Sequence, residues 1–251
     1  PAKDTANHKS PPVETSTGSR TKHAGQSHPA SLGRFQIQKV LGEGAMGAVY
    51  LAYDPKLDRN VALKVPKFPE GDGGEVLTRF HREARSAATL NHRNICQVFE
   101  VDEQDGQHYI AMAYVEGRPL SDFINPEKPL PQRTAALIVR KVARALSHAH
   151  KQGVVHRDLK PANIMMDKEK EPVITDFGLA CNTAADESRV TQSGRMLGTP
   201  AHMPLEQVEG DIDRIGPPAD IYSLGVVFYE LLTNEVPFIG PVIAVVGQIL
   251  N

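Results

Sequence analysis

The chain contains 251 residues, with 28 Lys and Arg against 30 Asp and Glu, and its formal net charge is −2 at pH 7. This balance argues against bulk nucleic-acid binding and against attraction of the chain as a whole to an anionic membrane. The length allows one large domain or two lobes with a sizeable core. No run approaches the roughly 18 apolar residues of a membrane-spanning helix, so none is predicted.

The cysteines indicate the cellular compartment, and the N-terminal segment indicates where the folded domain begins. Cys96 and Cys181 occur without a CxxC motif, so neither a zinc site nor a structural disulfide is predicted, and a reducing, cytoplasmic setting is expected. The alternative is a longer protein that a segment beyond residue 251 anchors in a membrane. Residues 1–33 are rich in Ser, Thr, Pro and Gly and are expected to form a disordered tail before a folded domain over residues 34–251. Because the chain begins with Pro1 and not with Met, it is expected to be a fragment or a processed product.

The folded part begins with a glycine-rich hairpin. Residues 35–40 alternate apolar and polar side chains, as a half-buried strand does. Gly42, Gly44 and Gly47 follow, and glycines let a hairpin backbone approach phosphate groups without Cβ clashes. The same spacing occurs in dinucleotide-binding folds, where a helix comes next. Here residues 49–53 (VYLAY) predict a strand.

Further strands and a helix complete the first half of the chain. Residues 61–65 read as a buried strand with one charge, Lys64, and a lysine in such a strand usually has a partner. Residues 75–90 carry apolar side chains at helical spacing. Two more strands are predicted at 97–102 and 107–114, with a turn containing Gly between them.

Two helices are predicted in the second half of the chain. Residues 132–151 form the clearest helix, with one apolar face and Gly153 as its stop signal. Residues 179–205 carry few large apolar side chains and several hydroxyls, so they are predicted to be loop. Residues 220–232 form a strongly apolar helix, with Asp220 as a favourable N-terminal cap.

Between these helices, three polar side chains surround a predicted hairpin. Residues 164–166 and 173–174 are candidate short strands, and their pairing would hold Asn163 and Asp176 near each other at one end. Asp158 lies shortly before them. An acid, an amide and a second acid suit phosphoryl transfer, which needs a base for the attacking hydroxyl and oxygen ligands for Mg²⁺.

This segment also resembles a known family. HRDLKPAN at residues 156–163, followed 18 residues after its Asp by DFG at residues 176–178, closely resembles the catalytic and metal-binding loops of protein kinases. The resemblance extends over residues 34–251 and implies an α+β, bilobal protein-kinase-like fold. A small antiparallel β lobe with one helix would span residues 34–114. A mainly α-helical large lobe, incomplete at its C-terminus, would span residues 115–251.

The resemblance implies a role for each polar residue of the site. Asp158 would accept or orient the proton of the substrate hydroxyl, and Lys160 would neutralise charge on the transferred phosphoryl group. Asn163 and Asp176 would hold Mg²⁺, with Mn²⁺ as an alternative ion. Lys64 would contact the α- and β-phosphates of ATP.

In protein kinases the strand lysine pairs with a helix glutamate, for which Glu83 is the preferred candidate here and Glu75 the weaker one. Met112 would be the gatekeeper, and the backbone of 113–115 would hydrogen-bond adenine. The residues that the resemblance assigns to ATP binding are Leu41, Gly42, Glu43, Gly44, Ala45, Met46, Gly47, Ala48, Val49, Ala62, Lys64, Met112, Ala113, Tyr114, Val115 and Met165.

The resemblance also implies a substrate class and a form of regulation. Lys160 is typical of serine/threonine kinases, and the chain looks like their eukaryotic-like, bacterial type. Arg157 beside the catalytic Asp implies activation by loop phosphorylation, with Thr191 and Ser193 as candidate phosphosites. Phosphorylation of one copy by another would need self-association. Thr199 would line the substrate site.

The chain departs from the family pattern in residues 202–205 and in its length. His202 stands where an aromatic side chain is usual, and Leu205 precedes Glu206 where Pro is usual. The large lobe of a kinase normally continues past the position of Asn251, and a later helix supplies an Arg for the Glu at position 206. We therefore expect Glu206 to lack this partner, part of the 220–232 helix to be uncovered, and stability and activity to be lower than those of a full domain.

Three functions follow from the sequence, in order of preference. The first is a serine/threonine protein kinase that uses ATP and Mg²⁺ and acts on a protein. The second is a pseudokinase or scaffold that binds ATP but is inactive, which the incomplete lobe and Leu205 favour. The third is a small-molecule phosphotransferase with a similar fold. Lys160, Thr199 and Glu206 argue against the third, because they serve protein substrates in the family.

Overall fold

The structure is a computed structural model and describes residues 29–44, 47–68, 73–177, 200–211 and 214–250. These residues form two lobes. The first is a six-stranded sheet with one helix, and the second is mainly helical and carries a three-stranded sheet. The predicted α+β, bilobal architecture is therefore confirmed.

The small lobe is built on an antiparallel sheet with the strand order β1-β2-β3-β4-β6-β5. Its strands are β1 (Ser31–Leu32), β2 (Phe35–Gly44), β3 (Gly47–Asp54), β4 (Arg59–Pro66), β5 (Val98–Gln104) and β6 (Gln107–Ala113). Helix α1 (Gly73–Ala88) packs against β5 and contributes Phe80, Ala84 and Ala87 to the core.

Alternation along β4 decides which way Lys64 points. Val61, Leu63 and Val65 are buried in one apolar cluster, whereas Ala62 is buried in a second cluster, to which α1 contributes. Because successive side chains of a strand point to opposite faces, Lys64 lies on the Ala62 face. The charged end of Lys64 is therefore directed toward the side of the sheet that α1 covers.

The small lobe starts earlier than predicted. Ser31 and Leu32 pair with the start of β2, and Leu32 is buried in the apolar cluster of the sheet. The predicted disordered tail over residues 1–33 is therefore wrong for its last residues, because one buried apolar side chain attaches them to the sheet edge. Residues 1–28 lie outside the described part of the chain.

Arg34 ties the start of the small lobe to two distant strands. Its guanidinium donates to Asp54 on β3 at 3.1 Å and to Glu100 on β5 at 3.0 Å. Tyr109 donates its hydroxyl to the same Glu100 carboxylate at 3.0 Å. Asp54 is fully buried, and hydrogen bonding from Arg34 outweighs that burial and holds the pKa of Asp54 below its ordinary value. The network therefore joins β3 to the far edge of the sheet.

The large lobe combines a small sheet with helices. Its elements are β7 (Gly117–Pro119), α2 (Gln132–Lys151), β8 (Ile164–Asp167), β9 (Pro172–Ile174), α3 (Leu205–Val208), α4 (Pro217–Thr233) and α5 (Val242–Leu250). The bounds of α2 agree with the prediction, and β8 and β9 form the predicted hairpin. Helix α2 packs against α4 and β9, so the helices and the hairpin share one core.

Helix α4 buries one side and exposes apolar side chains on another, in agreement with the expected uncovered face. The large apolar residues that it exposes are Ile221, Tyr222, Tyr229 and Leu232. Among the described residues, no helix has both the length and the apolar character needed to cross a membrane.

Gly117 allows β7 to lie close to β8. A Cβ at this position would be 2.0 Å from the Met166 carbonyl oxygen and 3.0 Å from the Asp167 Cα, so any side chain would force the two strands apart. We predict that Gly117→Ala lowers the free energy of unfolding by about 2–4 kcal/mol. Gly225→Ala is the control, because its Cβ would meet no atom within 4 Å and Ala favours a helix. Urea unfolding measures both variants, and equal stabilities would contradict the prediction.

Candidate active site

A buried carboxylate on α4 holds the backbone of residues 156–163, which are predicted to be catalytic and are called the catalytic segment below. Asp220 is 1% exposed and accepts hydrogen bonds from the backbone N–H groups of His156 at 2.8 Å and Arg157 at 2.9 Å. His150 on α2 donates Nε2–H to the same carboxylate at 2.7 Å. The prediction that Asp220 caps α4 is wrong. Gly216 occupies the N-cap position, and the Asp220 oxygens are engaged by these three donors.

Asp158 contacts two side chains predicted to act with it. Lys160 Nζ donates to both carboxylate oxygens of Asp158, at 2.8 and 3.1 Å, and Asn163 Nδ2 donates to Oδ2 at 3.0 Å. Asn163 Nδ2 also donates to the Asp158 carbonyl oxygen at 2.8 Å. These contacts orient the carboxylate and hold a cation beside it. The Asp158 side chain remains 31% exposed, so a substrate hydroxyl can reach it.

The β8–β9 hairpin brings Asp176 close to Asn163. The backbone N–H and the hydroxyl of Thr175 donate to the Asn163 carbonyl oxygen at 2.9 and 3.2 Å, and His156 Nε2 donates to the Thr175 carbonyl oxygen at 2.9 Å. Asp176 follows with φ 61°, a left-handed conformation that Asp adopts more readily than most residues. Met165, predicted to contact ATP, is half-buried on β8.

The oxygen atoms at this point fit Mg²⁺. Asn163 makes its side-chain hydrogen bonds through Nδ2, which leaves Oδ1 for a cation, and Lys64 contacts Asp176 through Oδ1. Amide and carboxylate oxygens are ligands that Mg²⁺ prefers, and phosphate-bound Mg²⁺ usually needs only one or two protein carboxylates. Within the described residues, no three His, Cys, Asp or Glu side chains gather in a way that could hold a metal. The set therefore suits a metal–phosphate complex better than a metal held by protein alone.

Lys64 pairs with Asp176 in this structure, and not with the predicted partner Glu83. Lys64 Nζ lies 2.6 Å from Asp176 Oδ1. Burial by itself raises the pKa of Asp176, but the charge and hydrogen bond of Lys64, with the charges of His156 and Lys160, bring the net pKa below the ordinary value. Asp176 is therefore ionised at neutral pH and competes for the Lys64 ammonium group.

Glu83 instead pairs with Arg157, with 2.8 Å between Oε1 and Nη1. The Glu83 side chain is 10% exposed, and its Oε2, like Arg157 Nε, is buried without a hydrogen-bond partner among the described residues. Burial raises the pKa of Glu83, and the Arg157 charge opposes this only in part. The predicted Lys64–Glu83 pair is thus absent because Asp176 holds Lys64 and Arg157 offers Glu83 a cation. The side chain of Glu75, the weaker candidate, lies outside the described part of the chain.

The predicted phosphate-binding hairpin is formed by the end of β2 and the start of β3. Its described residues are Leu41, Gly42, Glu43 and Gly44 on β2, all exposed, and Gly47, Ala48 and Val49 on β3. Ala45 and Met46, between them, lie outside the described residues. Gly47 has φ 127°, and a Cβ there would lie 2.1 Å from the Val65 carbonyl oxygen, so this position requires glycine. Val49 pairs with Lys64, which places the hairpin beside the lysine.

The residues predicted to bind adenine lie on β4, β6 and the connection between the lobes. Ala62 and Met112 are paired across β4 and β6, and both are buried. Ala113 donates its N–H to the Gln97 carbonyl oxygen at 2.9 Å. This N–H is therefore engaged, and a main-chain donor to adenine would have to come from residues 114–115 (Tyr114 and Val115).

The chain around α3 is tied to both α4 and the catalytic segment. His202, at the position where an aromatic side chain is usual, pairs with Glu230 on α4 at 2.8 Å. Ser223 donates its hydroxyl to the His202 carbonyl oxygen at 2.8 Å. Gln207 Nε2 donates to the Arg157 carbonyl oxygen at 2.5 Å. The segment predicted to bind a substrate thus has a fixed position relative to Arg157.

The predicted residues of this region fall partly outside the described part of the chain. Glu206 is half-buried and makes no ion pair with another described residue. Thr191, Ser193 and Thr199 lie outside the described residues, as does Cys181. Cys96 is buried and free, and its thiol contacts the Ala113 carbonyl oxygen at 3.3 Å.

Sequence reasoning missed three supports of the site. These are the hydrogen bonds of Asp220 to the catalytic segment, the Gln207 contact and the His202–Glu230 pair. The one available signal was Asp220 itself, since an acid at the start of a strongly apolar helix is exposed to solvent or paired. Spacing along the chain carries no information on the other two partners.

Comparisons with known proteins agree with this geometry. A sequence model described as "Protein kinase domain" matches residues 35–244. The chain is 41% identical over 208 residues to the serine/threonine-protein kinase PrkC of Bacillus subtilis, covering 83% of this chain and 32% of PrkC. It is 40% identical over 211 residues to the serine/threonine-protein kinase PknB of Mycobacterium leprae, covering 82% of this chain and 33% of PknB.

The fold is also similar to solved structures. A crystal structure of the PknI kinase domain of Mycobacterium tuberculosis matches with a TM-score of 0.69 and 30% identity. The match covers 84% of this chain and 79% of that one. The chain spans about a third of the length of the curated relatives that it matches.

Asp220→Asn tests whether the buried carboxylate supports the catalytic segment. The amide keeps the size of the side chain but turns an NH₂ group toward N–H donors. We predict a loss of about 2–4 kcal/mol in the free energy of unfolding. Amide hydrogen exchange at His156 and Arg157 should become faster. Asp122→Asn, on an exposed side chain, is the matched control and should change stability by less than about 0.5 kcal/mol. Unchanged exchange in Asp220→Asn would show that the support lies elsewhere.

Proposed function

The chain belongs to the protein kinase domain family, and we propose that it transfers the γ-phosphoryl group of Mg-ATP to a Ser or Thr hydroxyl of a protein. The observation that carries the proposal is the cluster of Asp158, Lys160 and Asn163, with Asp176 beside it. The cluster offers a base, a cation and two oxygen ligands at one point, and phosphoryl transfer uses this set of groups.

Each residue has a part that its contacts suit. Asp158 would accept the proton of the attacking hydroxyl, and positioned bases contribute about 10²–10⁴-fold to a rate. Lys160, 2.8 Å from Asp158, would neutralise negative charge as the hydroxyl approaches the phosphate. Asn163 and Asp176 would hold Mg²⁺, whose charge offsets that of the phosphates. Lys64 would bind the α- and β-phosphates.

A protein substrate is favoured over a small molecule by the surface around α3. Gln207 and the His202–Glu230 pair anchor this surface to the catalytic segment and to α4. A small acceptor would not need such an anchored surface beside Asp158. The names of the curated relatives, serine/threonine-protein kinases, support the same substrate class.

The two observed ion pairs suggest how the site is regulated. Asp176 cannot bind Lys64 and a metal–phosphate complex with equal strength, so nucleotide binding would release Lys64 from Asp176. Lys64 could then pair with Glu83, which would release Arg157. A phosphate on Thr191 or Ser193 of the loop would attract the free Arg157 and favour the exchange. Phosphorylation by a second copy would require transient self-association.

The setting proposed for this reaction is the cytoplasm. Burial raises the pKa of the Cys96 thiol to about 12, so the thiol stays protonated and unreactive there. The proposed activity belongs to a chain that spans about a third of the length of its curated relatives. Further segments of a longer protein would bring further binding partners.

Transfer of labelled γ-phosphate from Mg-ATP to a generic protein substrate tests the proposed activity. We predict incorporation with the parent chain and a loss of about 10²–10⁴-fold in both Asp158→Asn and Lys64→Met. Asp122→Asn and Lys56→Met, which change the same residue types at exposed positions, should retain the parent rate. ATP binding, followed by thermal shift, should persist in Asp158→Asn because that residue does not hold the nucleotide.

Two outcomes would contradict the proposal. ATP binding without any transfer would favour the pseudokinase or scaffold. Transfer to small-molecule acceptors, with none to protein, would favour the small-molecule phosphotransferase.

Arg157→Gln tests the exchange of ion pairs through the sign of its effect. In a chain whose phosphosites are removed by Thr191→Ala and Ser193→Ala, the substitution should raise kcat several-fold, because it releases Glu83 for Lys64. In the phosphorylated parent, it should lower kcat, because the phosphate loses its cation. Arg85→Gln, on the exposed side of α1, is the control and should leave kcat unchanged in both backgrounds. The same sign in both backgrounds would rule out the exchange.

A further inference from the structure

Helix α2 carries a charge that the composition of the whole chain conceals. Its 20 residues include five Arg and Lys side chains and no Asp or Glu, although the chain has a net charge of −2. The five cations are Arg133, Arg140, Lys141, Arg144 and Lys151. Positive charge is therefore concentrated on one element and compensated on others.

Four of these cations form an exposed ridge. The buried face of α2 consists of Ala135, Ile138, Val142, Ala145, Leu146 and Ala149. The helical repeat places Arg133, Arg140, Arg144 and Lys151 directly opposite that face, and all four are exposed. None of the four pairs with a carboxylate of the described residues, whereas Lys141, nearer the buried side, pairs with Glu171 at 2.6 Å. The four are called the α2 ridge below.

The ridge does not stabilise the helix that carries it. Arg140 and Arg144 are four residues apart, a spacing at which like charges repel on a helix. Arg133 lies in the first turn, where the helix dipole disfavours a cation, and only Lys151 lies at the favourable end. A ridge that works against its own helix points to an external anionic partner.

We infer that the α2 ridge binds the surface of an anionic phospholipid bilayer. The four cations lie along a straight line on the outward side of the helix. At 1.5 Å per residue this line is about 27 Å long, which suits contact with a flat surface. Leu137 lies on the same side of the helix and is 39% exposed, so it can enter the interface between head groups and acyl chains. Helix α2 has no Phe, Tyr or Trp side chain for stacking on bases, which disfavours single-stranded nucleic acid.

The position of the ridge would leave the Asp158 cluster accessible when the ridge is bound to a bilayer. The buried face of α2 packs against α4 and β9, the elements that hold Asp220 and precede Asp176. The ridge points away from both. A chain bound through the ridge would therefore keep the Asp158 cluster off the bilayer. This inference does not rest on the proposed kinase activity.

Cosedimentation with lipid vesicles tests the inference. Vesicles of phosphatidylcholine alone should not retain the chain, whereas vesicles with an equal part of phosphatidylglycerol should, and added salt should weaken this binding. Each Lys or Arg near such a surface strengthens binding about fivefold, so neutralising the whole ridge should lower the partition constant at least tenfold. The ridge variant is Arg133→Gln, Arg140→Gln, Arg144→Gln and Lys151→Gln.

A control variant makes the same change of net charge at exposed positions elsewhere. It consists of Lys39→Gln, Lys56→Gln, Arg82→Gln and Arg85→Gln. It should lower the partition constant by less than about threefold, since charges far from the bilayer are screened. Gln has a helix propensity close to those of Arg and Lys, and circular dichroism checks that the ridge variant is folded. If it is not, the single variants Arg140→Gln and Arg144→Gln should each lower binding several-fold.

A charge-preserving variant separates a bilayer from other anionic partners. Arg140→Lys with Arg144→Lys should retain vesicle binding, because a bilayer responds mainly to charge. Four results would each overturn the inference. They are no binding to anionic vesicles, equal losses in the ridge and control variants, loss of binding in the charge-preserving variant, and tighter, ridge-dependent binding of duplex DNA in the same buffer.

Discussion

The hydrogen bonds that Asp220 accepts are the constraint on which the candidate site depends. A carboxylate this deeply buried is tolerated only when donors surround it, and the donors here are two backbone N–H groups of the catalytic segment and a histidine of α2. Helix α4, which is largely apolar around this acid, thereby fixes the backbone of His156 and Arg157. Asp158 is the next residue, so its backbone takes its position from the core of the large lobe, while Lys160 and Asn163 orient its carboxylate.

Four charged side chains near the catalytic segment could form ion pairs in more than one combination. Lys64 with Asp176, and Glu83 with Arg157, are the pairs seen, but the Glu83 carboxylate is left half-satisfied in a buried position. An arrangement that leaves a buried acceptor unpaired is favoured only weakly over its alternatives. A ligand that binds the Asp176 carboxylate would free Lys64, and in the proposed exchange Lys64 would then replace Arg157 as the partner of Glu83.

Local patterns predict much of the fold. The 3.6-residue period of α2 gives its bounds, and the two apolar runs give the β8–β9 hairpin that joins Asn163 to Asp176. The resemblance of residues 156–178 then assigns Asp158, Lys160 and Asn163 to one site, whereas the contacts between them come from the structure. Patterns fail where distant groups compete. Whether Lys64 takes Glu83 or Asp176 depends on a balance of burial and charge at positions far apart in the chain, and Leu32 reads as tail until the sheet that buries it is known.

The net charge of the chain likewise does not predict which local surface can bind an anionic partner. A net charge near zero argues against an anionic surface as partner, yet electrostatic attraction in salt acts over about 10 Å, so a partner responds to the residues it meets and not to the sum. Helix α2 combines an apolar side, which completes the core beneath the catalytic segment, with a basic ridge that meets no carboxylate among the described residues. Core packing requires only the first of these sides. The second makes no ion pair with the part of the chain that the structure describes, and the inferred bilayer would supply its counter-charge.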